Sequence, residues 1–220
     1  MNNNIYKFIP DNKPRRMKHK KELFDKLQTR KSTKTVFNQY SDKDPKGIIR
    51  LNNLKLYLNL LKPEIILVGE APSYNGCRWS GIPFTSEYIM LNRKFPLFNR
   101  SQEFQQSSTG KLKKEISATI VWGTIKDMNP LPLLWNIFPF HPHKPANYSK
   151  NRKPTAEETE EGKKYLEYIT NIYPNASLIA VGEVAHKRLK EFNIVHSKVR
   201  HPSHGGKEKF QKGIKELGHN

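Results

Sequence analysis

Two short apolar runs, each followed directly by a glycine, constrain the fold of this chain more than any other feature. The first run is Ile65–Val68 before Gly69, and the second is Leu178–Val181 before Gly182. A run that is apolar at every position has no polar face for solvent, which is typical of a central strand in a parallel sheet. The pattern therefore predicts a parallel sheet whose strands end in tight, glycine-containing loops.

Helical signals lie between these runs. Thr155 and Glu158 have the spacing of a capping box, in which each side chain bonds the backbone N–H of the other residue at a helix start. Pro63 and Pro174 mark places where helices end. Helices are therefore predicted at residues 48–61, 155–173 and 184–189.

Further strands are predicted at Leu133–Ile137 and Ile194–Val199. Strands that alternate with helices predict an α/β fold, a three-layer α/β/α sandwich with a central four-stranded, mainly parallel sheet. In such sheets ligands bind beyond the carboxyl ends of the strands. Here these ends are residues 69–84, 136–145, 182–183 and 200–206.

The charge of the chain indicates its partner. The chain has 39 Lys and Arg against 20 Asp and Glu, a net charge of +19 among 220 residues. This exceeds what solubility requires and favours a polyanion, nucleic acid before an anionic membrane. The composition changes near residue 46, so we expect a basic N-terminal arm, residues 1–46, and an α/β domain, residues 47–220. The ten cations between Lys13 and Lys34 predict either a solvated arm with one short helix or a phosphate-binding arm.

Several classes of protein are excluded by what the chain lacks. Its single cysteine, Cys77, excludes a disulfide framework and an all-cysteine metal site within one chain. No apolar run approaches the roughly 18 residues of a membrane span, and Met1–Asp11 has no signal-peptide core. The pair His141 and His143 has poor zinc spacing. We therefore expect a cytoplasmic protein that uses no metal and no cofactor.

The loop after the first strand carries the first candidate chemistry. It contains a carboxylate, Glu70, an aromatic hydroxyl, Tyr74, and an aromatic ring, Phe84, which follows the rigid Pro83. A planar ligand can stack on such a ring. The alternative is a simple strand-to-helix turn with Phe84 in the core.

Two more candidate segments follow later in the chain. Asn136 stands among apolar residues, and a buried amide can read the edge of a planar ring with one donor and one acceptor. The alternative is an asparagine that caps local backbone. The tripeptide His201-Pro202-Ser203 follows the fourth predicted strand, and alone it is unspecific.

Taken together and in this order, the segments resemble the uracil-DNA glycosylase superfamily. Gly69-Glu70-Ala71-Pro72 is similar to the first motif of the branches that read Gly-Glu-Ala-Pro or Gly-Leu-Ala-Pro, and Gly81-Ile82-Pro83-Phe84 is similar to Gly-x-Pro-Phe. The stretch from Asn136 resembles the asparagine-containing strand of the family. His201-Pro202-Ser203 matches its second catalytic motif, so the resemblance covers about residues 48–210.

The resemblance implies a base-flipping enzyme that hydrolyses the N-glycosidic bond of uracil in single- or double-stranded DNA and initiates base excision repair. Phe84 would stack on the base and Asn136 would bond its edge. His201 would donate toward the uracil O2, and Glu70 would position water or offset positive charge on the sugar. The other implied residues are Tyr74 and Ala71 at the base, and Ser203, Pro202, His204 and Lys144 at DNA phosphates. The resemblance also implies a monomer.

Some positions depart from the family pattern. Ala71 stands where the best-known branch has a water-orienting Asp, so a non-catalytic DNA- or protein-binding module on the same scaffold is the alternative. Cys77 alone cannot hold the iron–sulfur cluster of the Gly-Glu-Ala-Pro branch. That branch usually has a Glu near the base C5 at the position of Gly76. The barrier against thymine is therefore expected at Tyr74 or Asn75, or is open.

Two departures bear on lesion range and DNA distortion. Residues 76–81 look more like the branch with broader base tolerance, so other deaminated bases are expected as weaker substrates. The segment His204-Gly205-Gly206 replaces the leucine wedge that the family often carries.

Overall fold

A computed structural model describes residues 13–217 of the chain. The helices are α1 (Lys13–Thr29), α2 (Pro45–Leu60), α3 (Cys77–Ser80), α4 (Glu87–Met90), α5 (Ile116–Ile125), α6 (Ala156–Ile172), α7 (Glu183–Glu191) and α8 (Lys207–Leu217). The strands are β1 (Val36–Phe37), β2 (Ile65–Gly69), β3 (Leu133–Asn136), β4 (His141–Lys144), β5 (Asn147–Asn151), β6 (Ser177–Val181) and β7 (Ser197–Val199). In this range no helix combines the length and apolarity that a membrane crossing requires.

The central sheet has four strands in the order β3-β2-β6-β7. All three pairings are parallel, and helices flank the sheet, which confirms the predicted α/β class. Leu67 and Val68 are buried on β2, as a strand covered on both faces requires. The register places Gly69 beside Asn136. The first motif and the asparagine therefore lie next to each other at the carboxyl edge.

The predicted capping box of α6 is confirmed. Thr155 Oγ1 accepts a hydrogen bond from the Glu158 backbone N–H at 3.2 Å, and Glu158 Oε2 accepts one from the Thr155 N–H at 2.9 Å. The start of β7 was predicted wrongly, because the strand begins at Ser197 rather than at Ile194. Residues 193–194 instead close the end of α7. The Ile194 N–H bonds a carbonyl of that helix, and Asn193 adopts a left-handed conformation with φ of 56°.

Residues 13–46 do not form a separate arm. Leu23 and Leu27 of α1 are fully buried in the common core, and α1 packs against α6 and α2. β1 pairs with β4, with Val36 opposite Pro142. The break in composition near residue 46 is therefore not a break in packing. Residues 1–12 of the predicted arm lie outside the described residues.

The predicted short helix is the 17-residue α1. Leu23 and Leu27 lie one turn apart on a single face of this helix, so they reach the core while most of its cations stay at the surface. Lys20 is the exception. It is buried, and its Nζ donates to the Leu58 carbonyl and to Asn59 Oδ1.

Candidate functional site

A cavity of about 400 Å³ lies at the carboxyl edge of the central sheet. Five separate segments of the chain contribute to its wall, as expected for a ligand site in a parallel α/β fold. The sequence-predicted residues that line it are Glu70, Ala71, Phe84, Asn136, His201, Ser203 and His204.

Gly69 allows Phe84 and Asn136 to meet at the end of β2. A Cβ at position 69 would lie 2.2 Å from Phe84 Cζ and 2.9 Å from Asn136 Oδ1, so no larger residue fits. Phe84 adopts a positive φ of 51°, which is uncommon for a bulky residue and is found where surrounding structure imposes it. The adjacent Thr85 is anchored on both sides, because its Oγ1 donates to the Pro83 carbonyl and its own carbonyl accepts from Ser80 Oγ. The half-buried ring is thereby held against the cavity rather than in the core.

Asn136 offers its amide to the cavity. The residue is 3 % exposed, and within the described range its side chain forms no hydrogen bond. A buried amide without a partner is costly. Its donor and acceptor are therefore available to a ligand that fills the cavity.

His201 lines the cavity as a neutral hydrogen-bond donor. Its Nδ1 accepts a hydrogen bond from the Ser203 backbone N–H at 3.2 Å and lies 2.7 Å from Ser203 Oγ. Because a backbone N–H can only donate, the ring proton resides on Nε2. Burial, together with the nearby charges of Arg200 and His204, lowers the pKa of His201 to about 4. At neutral pH the imidazole is therefore uncharged, with an N–H at Nε2.

The close packing of His201 again depends on a glycine. A Cβ at Gly182, the residue after β6, would lie 2.9 Å from His201 Cβ. The imidazole ring lies 6.2 Å from the Phe84 ring, centroid to centroid, at an angle of 39°. The two rings therefore border the same cavity.

Glu70 follows β2 directly, and its side chain is half-buried at the cavity. Burial raises the pKa of this carboxyl, and the nearby Lys153 ammonium offsets part of the rise. Lys153 belongs to the loop after β5, where Arg152 is held by two hydrogen bonds of 2.7 and 2.5 Å to Glu158. The start of α6 thus fixes the loop that carries this cation.

Three sequence-predicted residues do not line the cavity. Tyr74 is 36 % exposed at the tip of the first loop, where its backbone N–H donates to Asn151 Oδ1 at 3.0 Å. Lys144 is exposed at the end of β4, and Pro202 is buried between its two neighbours. The fixed turn after Pro72 therefore directs Tyr74 to solvent, away from the place predicted for it at the base.

His141 and His143 are buried on β4. The His141 ring bridges two carbonyl oxygens, those of Pro72 at 2.9 Å and Tyr148 at 3.0 Å. It thereby joins the first motif to the β4–β5 hairpin. Within residues 13–217 no three His, Cys, Asp or Glu side chains are grouped so that they could hold a metal ion.

Glu115 also lines the cavity, although the sequence did not single it out. It precedes α5 as the N-cap residue and reaches the cavity from outside the motif segments. A Cβ on Gly76 would lie 1.9 Å from Glu115 Oε2. Burial raises the pKa of Glu115, and a hydrogen bond from Ser73 offsets part of the rise. No local signal marks it, because the contact joins two loops that are far apart in the chain.

Two comparisons with known proteins bear on the family and the fold of this chain. A family model described as the uracil DNA glycosylase superfamily matches residues 57–217. The crystal structure of wild-type SMUG2 from Pedobacter heparinus is similar in fold, with a TM-score of 0.62, 13 % sequence identity and coverage of 92 % of this chain and 99 % of that chain. No curated protein matches the chain. Since the family model spans well over half of the sequence, this protein belongs to the uracil DNA glycosylase superfamily, as its motifs predicted.

Proposed function

We propose that the protein is a DNA glycosylase that removes uracil, and more weakly other deaminated bases, by hydrolysis of the N-glycosidic bond. One observation carries this proposal. Glu70 and Phe84 in the loop after β2, Asn136 at the end of β3 and His201 after β7 line one cavity at the edge of the sheet. The set supplies an aromatic face, an amide, a neutral N–H donor and a carboxyl, which together suit a flipped base and its sugar.

Base recognition uses Phe84 and Asn136. The Phe84 ring stacks on the face of the flipped base. The amide of Asn136 accepts from N3–H and donates to O4 of uracil, so the base supplies hydrogen bonds that no described residue of the protein gives this amide. A ligand whose edge cannot bond both the donor and the acceptor of the Asn136 amide leaves a buried polar group unpaired. The cavity therefore rejects such a ligand.

His201 stabilises the leaving base. As the N-glycosidic bond breaks, negative charge develops on uracil O2, and the Nε2–H donates a hydrogen bond toward it. The donor is fixed in place through Nδ1 and Ser203 before the reaction starts. Such preorganised donors contribute more than flexible ones.

Glu70 acts on the sugar side of the bond. Its carboxylate orients the attacking water or offsets the positive charge that develops on the sugar. Either role requires the ionised form, although burial raises its pKa. Ser203, His204 and Lys144 bind phosphates beside the lesion, and one chain contains every residue that this mechanism uses, in keeping with a monomer.

Release of free base from a defined oligonucleotide tests the proposal. Purified protein, in excess over single- or double-stranded DNA with one uracil, should release uracil and leave an alkali-labile abasic site, also in EDTA. Absence of uracil release under these conditions would overturn the proposal. It would favour a non-catalytic binding module, the alternative that Ala71 raises.

A further inference from the structure

Glu115 forms one wall of the cavity. Its backbone is extended, with φ of −137° and ψ of 130°, at the position before α5. A Cβ on Gly76 would lie 1.9 Å from Glu115 Oε2 and 2.9 Å from Ser73 Oγ. The carboxyl group therefore fills the space in front of Gly76, which has no side chain of its own.

No cation of the described residues neutralises this carboxyl. Lys113 Nζ lies over the Trp79 ring, 5.8 Å from its centroid, and Lys114 Nζ lies over the Tyr88 ring at 4.2 Å. Within residues 13–217 Glu115 forms no ion pair. A carboxyl group buried in this way costs folding free energy, and such costs concentrate at functional sites.

Two other carboxyl groups of the same chain, of which Glu87 is buried and Glu158 half-buried, are well satisfied. Glu87 Oε1 accepts hydrogen bonds from the backbone N–H groups of Ser107 at 2.7 Å and Ser108 at 2.8 Å. Glu158 binds the Arg152 guanidinium through both oxygens. Glu115 differs from both because its carboxyl group faces the cavity. A ligand that enters the cavity therefore contacts this group.

The position of Glu115 relates it to one edge of the base, given the proposed function on which this inference rests. With O2 at His201, and N3 and O4 at Asn136, the C5–C6 edge of a uracil stacked on Phe84 faces the remaining wall. That wall contains Glu115 together with Ala71, Pro72, Ser73 and Cys77, all of which line the cavity. We propose that Glu115 is a specificity-determining residue, whose side chain limits the size of the substituent at C5 and thereby excludes thymine.

A substrate series measures this limit in the wild-type protein. Uracil, thymine and 5-ethyluracil are placed opposite guanine in one duplex sequence, so that only the C5 substituent changes. Single-turnover release should fall as the substituent grows, with thymine about 10–200-fold slower than uracil, the range for one methyl group in a pocket. Equal release of the three bases would overturn the inference without any variant.

Three variants then assign the limit to Glu115. Glu115→Ala opens the wall and should raise the thymine-to-uracil rate ratio by about tenfold or more. Glu115→Gln keeps the length of the side chain and should retain the wild-type ratio. Glu160→Ala removes an exposed glutamate of α6 as the matched control and should change neither rate.

The outcomes separate this inference from the proposed function. An unchanged ratio in Glu115→Ala, with uracil still released, overturns the inference alone. Both Glu115 variants could instead lose uracil release while keeping wild-type melting temperatures. That result also overturns the inference, because Glu115 would then take part in bond cleavage rather than limit the size of the C5 substituent. Failure of the wild-type protein to release uracil overturns the proposed function itself. Should Glu115→Ala fail to fold, the substrate series decides.

Discussion

At the scale of single residues, the site depends on groups that are fixed before a base enters. His201 is held through Nδ1 by Ser203, which leaves Nε2 as its donor. Asn136 is buried beside Gly69 with its amide free. Both residues therefore supply hydrogen bonds whose directions are set by the fold rather than by the ligand.

His201→Ala and Asn136→Ala should each slow single-turnover base release by on the order of 10²–10³, the effect of losing one preorganised donor. DNA affinity should change much less, because the backbone contacts remain. His196→Ala, which removes an imidazole that does not line the cavity, is the control. Near wild-type rates in both site variants would show that the base binds elsewhere.

The pH dependence of base release should report Glu70. Since burial raises its pKa above the usual 4.5, the carboxylate is lost as pH falls through that raised value, and the rate should fall with it. Rates measured from pH 4 to 8 should show this acidic limb in the wild type. Glu70→Gln should remove the limb and lower the plateau. A limb that persists near pH 4 in Glu70→Gln would instead report His201, whose pKa is about 4.

At the scale of elements, α1 shows how a strongly basic segment becomes part of a core. Most of the stability of a helix in a protein comes from the packing of its apolar face, so the docking of the 17-residue α1 on α6 and α2 stabilises it. Leu23 and Leu27 make this contact at 0 % exposure.

Leu27→Ala should lower the free energy of unfolding by about 2–5 kcal/mol, since it removes buried methyl groups and leaves a cavity. Met17→Ala in the same helix is the control. Met17 is 56 % exposed, so the change should stay within about 0.5 kcal/mol. Urea denaturation of the three proteins measures both effects. A Leu27→Ala protein as stable as the wild type would show that α1 is not needed for the fold.

At the scale of the whole molecule, the net charge of +19 attracts a polyanion such as DNA. Two groups of cations are candidate phosphate contacts. Lys144, Lys150 and Lys153 belong to the β4–β5 hairpin and the loop after it, and Lys153 lines the cavity. Lys13, Lys21 and Lys26 are exposed on α1. The sequence left open whether the α1 segment binds phosphates or is solvated.

The salt dependence of duplex binding should distinguish these two sets. Each phosphate contact contributes about −0.9 to the slope of log K against log salt. Replacing Lys144, Lys150 and Lys153 by Gln should therefore flatten the slope by up to about 2.7. The same triple replacement on α1 should flatten it only where that helix contacts DNA. An unchanged slope for the variant without Lys144, Lys150 and Lys153 would show that DNA binds another surface.

The sequence alone determined much of this protein, and the reason is that its strongest signals are local. A short run apolar on both faces, such as Ile65–Val68, is typical of a covered strand, and the Thr155–Glu158 capping box forms within one helical turn. The loops at strand ends follow from the parallel sheet, so Glu70, Phe84, Asn136 and His201 could be placed near one another before the structure was known. The start of β7 was missed because Ile194 and Val195 read as strand, while the end of α7 uses Ile194.

The tertiary structure decided what depends on contacts between distant segments. Composition separated residues 1–46 from the rest, but the packing of Leu23 and Leu27 joins residues 13–46 to the core. Gly76 reads in the sequence as open space, whereas the folded chain fills that space with Glu115. No pattern of neighbouring residues encodes that meeting, because it depends on how every residue between the two positions packs.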